Sequence, residues 1–210
     1  NAIQKILSTD ADTIRSITSS VLSSDMSSTV INERETKYFT SLVETYPDDP
    51  GLLLFLLMNF VTLEPGDFLY VSPGVTHAYL RGNVVEITSN SDNVIRCGLT
   101  PKHVNAHEFL SIASFVSEQP EIQTPAESVH TYESPTPFTL TRLNLNEELE
   151  ATLHGPEILI STQNNFTITN KSENSFHVEQ GHPVWVPYSD TSYKITGNCL
   201  LFRCATNPYF

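Results

Sequence analysis

The stretch from Leu63 to Lys102 holds the residues whose types and spacing are suited to chemistry. His77 follows a turn that contains proline and glycine, and Asp92, Arg96 and Lys102 come within the next 25 residues. An imidazole is a common metal ligand, and a guanidinium offers a planar fork of donors to a phosphate or a developing oxyanion. These residues therefore predict one side of a metal-dependent site that acts on an anionic substrate.

Two further polar residues belong to the same predicted surface. Tyr79 shares a strand face with His77, because alternate residues of a strand point to the same side. Glu86 lies on the next predicted strand, on one face with Val84 and Thr88. A carboxylate inside a barrel must be paired or bound to a metal, and the alternative is an outward-facing surface residue.

Each candidate also has a plain structural interpretation. A single strand histidine such as His77 often has only a structural role. Asp92 and Arg96 are four residues apart, which on a helix would make an ordinary ion pair, although the turn-forming segment 90–93 favours a loop that enters a strand. Without further context, Arg96 and Lys102 are solvated surface charges.

Short strands joined by turns are predicted to position these residues. Pro65-Gly66 and Pro73-Gly74 are turn formers, because proline fixes φ and glycine follows freely. The apolar run 52–63 predicts a buried strand, with a buried helix as the alternative. With it, the predicted strands of this region are 52–63, 68–71, 77–80 and 84–88. This spacing is typical of a β barrel or sandwich.

Helices are predicted on both sides of these strands, at 2–8, 11–24, 32–46 and 101–116. His103 and His107 are four residues apart on the last helix, but the His-Glu-x-x-His order is absent, so both are interpreted as exposed helix residues. Residues 120–137 are polar and rich in proline, which indicates a linker. Strands return in the remainder, roughly at 138–144, 157–162, 165–169, 175–178, 183–187, 191–196 and 199–205.

The C-terminal strands contain a faint echo of the candidate site. Residues 179–187 resemble 64–73, and continuing the match sets Thr191 opposite His77 and Tyr193 opposite Tyr79. A second β domain that kept the hairpin and lost the metal ligand would explain this pattern. Shared barrel geometry alone is the other explanation.

Bulk composition excludes several classes of protein. The formal charge is −13, with 24 acidic and 11 basic residues, which argues against nucleic acid because phosphate contacts need clustered Lys and Arg. The apolar run 51–61 is too short to span a bilayer, so no membrane partner is expected. Three cysteines without a Cys-x-x-Cys motif indicate a reduced, cytoplasmic protein.

The motifs Pro-Gly-Val-Thr-His-Ala-Tyr-Leu, at 73–80, and Ser-Asp-Asn-x-x-Arg-x-Gly-Leu-Thr-Pro-Lys, at 91–102, resemble those of the type I phosphomannose isomerases. The strong resemblance covers about residues 50–115. It implies a mainly β, cupin-type (bicupin-like) fold with N-terminal helices from a helical insertion. The implied domains are the tail of that insertion, half of a catalytic cupin, a linker and a second, metal-free cupin-like β domain, at 1–50, 51–120, 121–137 and 138–210.

The resemblance also implies an activity. The family interconverts mannose 6-phosphate and fructose 6-phosphate with one zinc ion, held by Gln, His, Glu and a second His that His77 matches. Arg96 and Asp92 match residues implicated in isomerisation. Tyr79, Glu86 and Lys102 match site-lining positions, with Lys102 as an anion contact for the sugar-phosphate substrate.

One departure from the family pattern sets the limits of this expectation. No Gln-x-His occurs before Leu63, so three of the four zinc ligands would lie on an N-terminal segment that the sequence does not contain. The chain is therefore expected to be a C-terminal portion that is inactive alone. A non-catalytic sugar-binding or regulatory cupin is the alternative. The sequence does not specify an oligomeric state.

Overall fold

The computed structural model describes residues 2–23, 31–91, 93–117 and 119–208. The chain divides into two compact units. We call them the helical unit, made of Asn1–Thr62, Val71–Gly82 and Ser89–Gln119, and the β unit, made of Leu63–Tyr70, Asn83–Thr88 and Pro120–Phe210.

The helical unit contains all five α-helices of the described residues: α1 (Ala2–Leu7), α2 (Ala11–Ser23), α3 (Glu33–Thr45), α4 (Gly51–Phe55) and α5 (Ala106–Ile112). The first three are confirmed as predicted from the sequence. Asn32 and Glu35 form a reciprocal capping box at the start of α3, which satisfies backbone N–H groups that a helix end leaves unpaired. Ile14, Phe39 and Leu52 are fully buried among these helices.

The predicted strand at 52–63 is wrong, because its first part is helix α4. Pro50 has helical dihedrals and occupies the N-cap position, and Leu52, Leu53 and Leu54 are all buried. A continuous apolar run fits a buried strand and a buried helix equally well. Here the surfaces of the preceding helices decide the outcome, because α4 packs against α1, α2 and α3.

The predicted strands at 77–80 and 84–88 are also wrong. Within 68–71 only β1 (Phe68–Leu69) forms, paired with β2 (Ile122–Gln123). A strand needs a neighbouring strand for its backbone N–H and C=O groups, and among the described residues no strand forms a ladder with 77–80 or 84–88. The alternating side-chain pattern is therefore present in these segments, but the described residues form no hydrogen-bonded strand there.

The β unit holds two larger antiparallel sheets. One has the order β3-β4-β11-β6-β9 and the other β5-β10-β7-β8. Their strands are β3 (Val129–Tyr132), β4 (Phe138–Leu145), β5 (Glu148–Thr152), β6 (Glu157–Gln163), β7 (Phe166–Asn170), β8 (Ser175–Val178), β9 (Pro183–Val186), β10 (Ser192–Thr196) and β11 (Cys199–Thr206). All seven predicted C-terminal strands are confirmed, as is the mainly β class of the fold.

Both sheets contribute to a single core in the β unit. Leu143, Leu159 and Leu201 come from the five-stranded sheet, and Phe166 and Ile195 from the four-stranded sheet. Along β6 and β10, buried residues alternate with more exposed ones, as expected when one face of a sheet is buried. The prediction of a linker at 121–137 missed β2 and β3, and β5 was not predicted.

No helix among the described residues has both the length and the apolar character needed to cross a bilayer.

Candidate functional site

The turn before His77 is held by backbone contacts. Gly74 has a φ of +82°, a conformation that favours glycine, and a Cβ added there would lie 2.9 Å from the carbonyl oxygen of Ile112. The amide of Ser114 donates to the carbonyl of Gly74 at 2.8 Å. The turn therefore lies directly against the end of α5, and His77 leaves it three residues later.

The imidazole of His77 has a defined orientation. Its Nδ1 atom lies 2.9 Å from the carbonyl oxygen of Val75, and because a carbonyl only accepts, Nδ1 carries the proton. Nε2 is then the nitrogen available to a metal. The Tyr79 ring lies edge-on to the imidazole, with centroids 5.9 Å apart and an interplanar angle of 62°. Both side chains are exposed.

Arg96 lies at the start of a loop that the Asp49 carboxylate holds in place. Arg96 is half-buried, and Gly98 and Leu99 follow with φ values of +153° and +52°. The Asp49 carboxylate accepts from the amide of Leu99 at 2.8 Å. Asp49 was not among the site residues predicted from the sequence. An Asp two residues before a glycine is the signature of a turn closed by its side chain.

The other described site residues, Lys102 and Glu86, belong to different units. Lys102 is exposed in the helical unit, and its amide donates to the Thr100 hydroxyl at 3.2 Å. Glu86 is exposed and belongs to the β unit. Asp92 lies outside the described residues. Among the described candidates, His77 and Tyr79 lie in ring contact.

The predicted helix at 101–116 begins later than expected. The Asn105 side chain accepts from the amide of Glu108 at 3.1 Å and caps α5. This cap places His107 on the helix and His103 before it. Their spacing of four residues therefore does not bring them to one helical face.

Two described cavities lie in the β unit. One, of about 650 Å³, is lined by polar residues, namely Glu121, Gln123, Thr124, His130, Thr131, Glu133, Ser134 and Pro135. The other, of about 70 Å³, lies beside Trp185 and Tyr193. None of the predicted site residues lines either cavity.

A zinc ion needs more ligands than the described residues bring together. Structural and catalytic zinc sites use three or four protein ligands. Throughout residues 2–23, 31–91, 93–117 and 119–208, no three His, Cys, Asp or Glu side chains are arranged to hold a metal. His77 fits the role of one ligand, since its second nitrogen is oriented by a backbone carbonyl. The described residues do not fit a complete zinc site.

The sequence of this chain is similar to those of known proteins. No family model matches the chain. The mannose-6-phosphate isomerase of Salmonella typhimurium is 32% identical over 167 residues, which cover 76% of this chain and 42% of that protein. The mannose-6-phosphate isomerase of Rattus norvegicus is 27% identical over 178 residues, which cover 77% of this chain and 42% of that protein. The chain thus matches less than half the length of these relatives.

Solved structures show the same relationship in the fold. A variant of the Salmonella typhimurium phosphomannose isomerase superposes with a TM-score of 0.79 at 23% identity, covering 97% of this chain and 54% of that one. The enzyme from the same organism bound to fructose 6-phosphate and zinc gives a TM-score of 0.70 at 22% identity, covering 94% and 55%. The expected cupin-type fold is confirmed, and most of the chain matches a C-terminal portion of the type I phosphomannose isomerases.

Proposed function

We propose that this chain supplies part of the active site of a zinc-dependent isomerase that interconverts mannose 6-phosphate and fructose 6-phosphate. The observation that supports the proposal most strongly is the His77 imidazole, whose Nδ1 donates to the Val75 carbonyl within a motif characteristic of the family. The names of the relatives add support, since they are mannose-6-phosphate isomerases.

His77 would hold zinc through Nε2, together with ligands outside the described residues. Bound zinc supplies Lewis acidity that polarises the oxygens of the sugar. Tyr79, in edge contact with the imidazole, would line the sugar site and limit the rotation of His77. Glu86 is proposed as a further substrate contact on the basis of its match to the family motif.

Arg96 would stabilise the charge that develops during isomerisation. Moving a proton between C1 and C2 of the open-chain sugar passes through an enediol, and negative charge builds on the adjacent oxygen. The guanidinium donates hydrogen bonds to that oxygen, which lowers the barrier most where water is excluded. Arg96 is half-buried on a fixed loop, as this role requires. Asp92 would orient Arg96 or assist ring opening.

Lys102 would bind the phosphate of the substrate. Its ammonium is exposed in the same loop region as Arg96, and a point charge there attracts a dianionic group without a fixed geometry. A cationic contact of this kind is needed because the chain carries a net charge of −13. The substrate must therefore be captured by a local group of bases or by a metal.

A non-catalytic sugar-binding or regulatory cupin is the second candidate function. The observation that favours it is the single candidate zinc ligand among the described residues. Such a module would bind a sugar phosphate through Arg96 and Lys102 and leave it unchanged.

Activity of the polypeptide expressed from its natural gene separates these candidates. Mannose 6-phosphate is supplied, and fructose 6-phosphate is measured for the wild type, Arg96→Gln and Arg34→Gln. We expect Arg96→Gln to lower kcat by about 100- to 1000-fold. Arg34→Gln, which changes an exposed arginine on α3, should retain activity. Absence of turnover by the wild type, with retained binding of the sugar phosphate, would favour the second candidate.

A further inference from the structure

We propose that Asp49 is a positioning residue for Arg96: its carboxylate fixes the loop 96–102 against the start of α4 and so sets where the guanidinium lies. The inference rests on the proposed function, because it assigns Asp49 to the same site. The contacts of Asp49 lie within the helical unit, so they form without substrate or metal.

The Asp49 carboxylate joins two segments that are 50 residues apart in sequence. One oxygen, Oδ1, accepts from the amide of Gly51 at 2.7 Å, and the other, Oδ2, accepts from the amide of Leu99 at 2.8 Å. Both contacts are partly buried. Hydrogen bonds to an ionised acceptor are about twice as strong as neutral ones, so the carboxylate is a strong link between helix and loop.

Two glycines make this approach possible. A Cβ at Gly51 would lie 2.8 Å from Leu99 Cγ and 2.9 Å from Asp49 Oδ1. A Cβ at Gly98 would overlap the same carboxylate oxygen and would lie 3.1 Å from Gly51 Cα. Both positions therefore exclude side chains, and the backbone of the loop lies directly on the N-terminal end of α4.

The loop needs such a link because Leu99 has an unfavourable backbone conformation. Leu99 adopts a φ of +52°, which is unfavourable for a residue with a Cβ and persists only where surrounding contacts impose it. The Leu99 side chain packs against the helical core. The Leu99 amide donates to Asp49, so both the side chain and the backbone of Leu99 are held in place. Arg96 lies three residues before Leu99.

The neighbouring acid has a different role. The Asp48 carboxylate forms an ion pair with Arg15 of α2 and is exposed, whereas Asp49 is half-buried and makes the two backbone contacts. The two carboxylates are adjacent in sequence and differ in contact, so Asp48→Asn is a matched control for Asp49→Asn.

The electrostatics of Cys97 agree with a carboxylate close to the loop. Burial raises the pKa of the Cys97 thiol, and the negative charge of Asp49 raises it further. Cys97 is the residue next to Arg96, so the charge of Asp49 acts on the part of the loop that the inference concerns.

Hydrogen exchange of individual amides, followed by NMR on the 210-residue chain, tests the inference. In Asp49→Ala the Leu99 amide should exchange roughly tenfold to a hundredfold faster, and in Asp49→Asn, which keeps one acceptor oxygen, the increase should be smaller. Asp48→Asn should leave the Leu99 rate unchanged. The amide of Phe39 in α3 reports whether the helical unit is folded, and it should exchange at the wild-type rate in all three variants.

A second readout follows Arg96 itself. The Nε–Hε resonance of Arg96, identified by its loss in Arg96→Lys, should shift or broaden in Asp49→Asn and remain in place in Asp48→Asn. A purely structural role for Asp49 would move the core amides and leave this resonance unchanged, and that result would overturn the inference.

The wild-type chain gives a test that needs no variant to fold. A scalar coupling across the hydrogen bond should connect the Leu99 amide nitrogen with the Asp49 carboxyl carbon, and its absence would overturn the inference. None of these readouts depends on isomerase activity. A chain that shows all of them but whose natural gene product has no turnover would retain the Asp49 contact and refute the proposed function instead.

Discussion

The hydroxyl of Tyr193 donates a hydrogen bond of 2.6 Å to the Glu157 carboxylate inside the β unit. Both residues are buried, with 3% and 5% of their surface exposed. Burial and this hydrogen bond raise the pKa of Tyr193 well above its ordinary value of 10.0, while Arg203 acts in the opposite direction. The pair joins β10 of one sheet to β6 of the other, so it couples the two sheets of the fold.

This pairing predicts a loss of stability at alkaline pH. Because the folded state holds the Tyr193 proton more tightly than the unfolded state, the contribution is fully present below about pH 10 and declines as pH rises further. The free energy of unfolding should then fall by up to about 1.4 kcal/mol per pH unit. Urea unfolding between pH 7 and pH 11 measures the slope.

Tyr193→Phe separates the pair from other alkaline titrations. At pH 7 it should lower the free energy of unfolding by about 1–3 kcal/mol, because Glu157 loses its donor, and its alkaline slope should be shallower than that of the wild type. Tyr188→Phe, which removes an exposed hydroxyl, should change neither quantity. Equal alkaline slopes in Tyr193→Phe and the wild type would show that the pair does not titrate as described.

Lys102 is predicted to act in binding and not in the chemical step. In the natural gene product, Lys102→Met should raise KM for mannose 6-phosphate about tenfold with little change in kcat, since a phosphate contact present in both ground and transition states is uniform binding. Steady-state kinetics at two salt concentrations measure this effect. Lys171→Met, in an exposed turn of the β unit, is the control, and a fall in kcat with unchanged KM would assign Lys102 a different role.

Local signals were sufficient to predict much of the fold. Strands such as β6 and β10 alternate buried and more exposed residues, and each strand from 138 onward has a partner within the chain. Residues 77–80 carry the same alternation without a described partner strand and remain irregular. Alternation reports a suitable side-chain pattern, whereas a strand also requires a neighbouring backbone. The strand prediction at 52–54 was wrong for another reason. Burial on all sides removes the periodicity that distinguishes a helix from a strand.

The sequence predicted contacts of the candidate site only between residues of the same short motif. The face shared by His77 and Tyr79 follows from their spacing, and the structure places the two rings in contact. Asp49 could not be identified in this way. Its partner Leu99 is distant in the sequence, and a contact over that separation depends on how α4 packs, which no local pattern contains.

The 210-residue chain alone is predicted to hold zinc weakly. A single imidazole does not make a tetrahedral site, and the described residues offer no group of three ligands. After dialysis against zinc and then against buffer, the metal content should be far below one ion per chain. Stoichiometric zinc would show that further ligands arise from the chain itself.

The most direct test of the central claim is the zinc content and isomerase activity of the natural gene product with His77→Ala. If the Nε2 atom of His77 is a zinc ligand, this variant should lose both the metal and the conversion of mannose 6-phosphate, by at least about tenfold in affinity. His107→Ala, which changes an exposed histidine of α5, should keep both. Full zinc occupancy and wild-type turnover in His77→Ala would contradict the account.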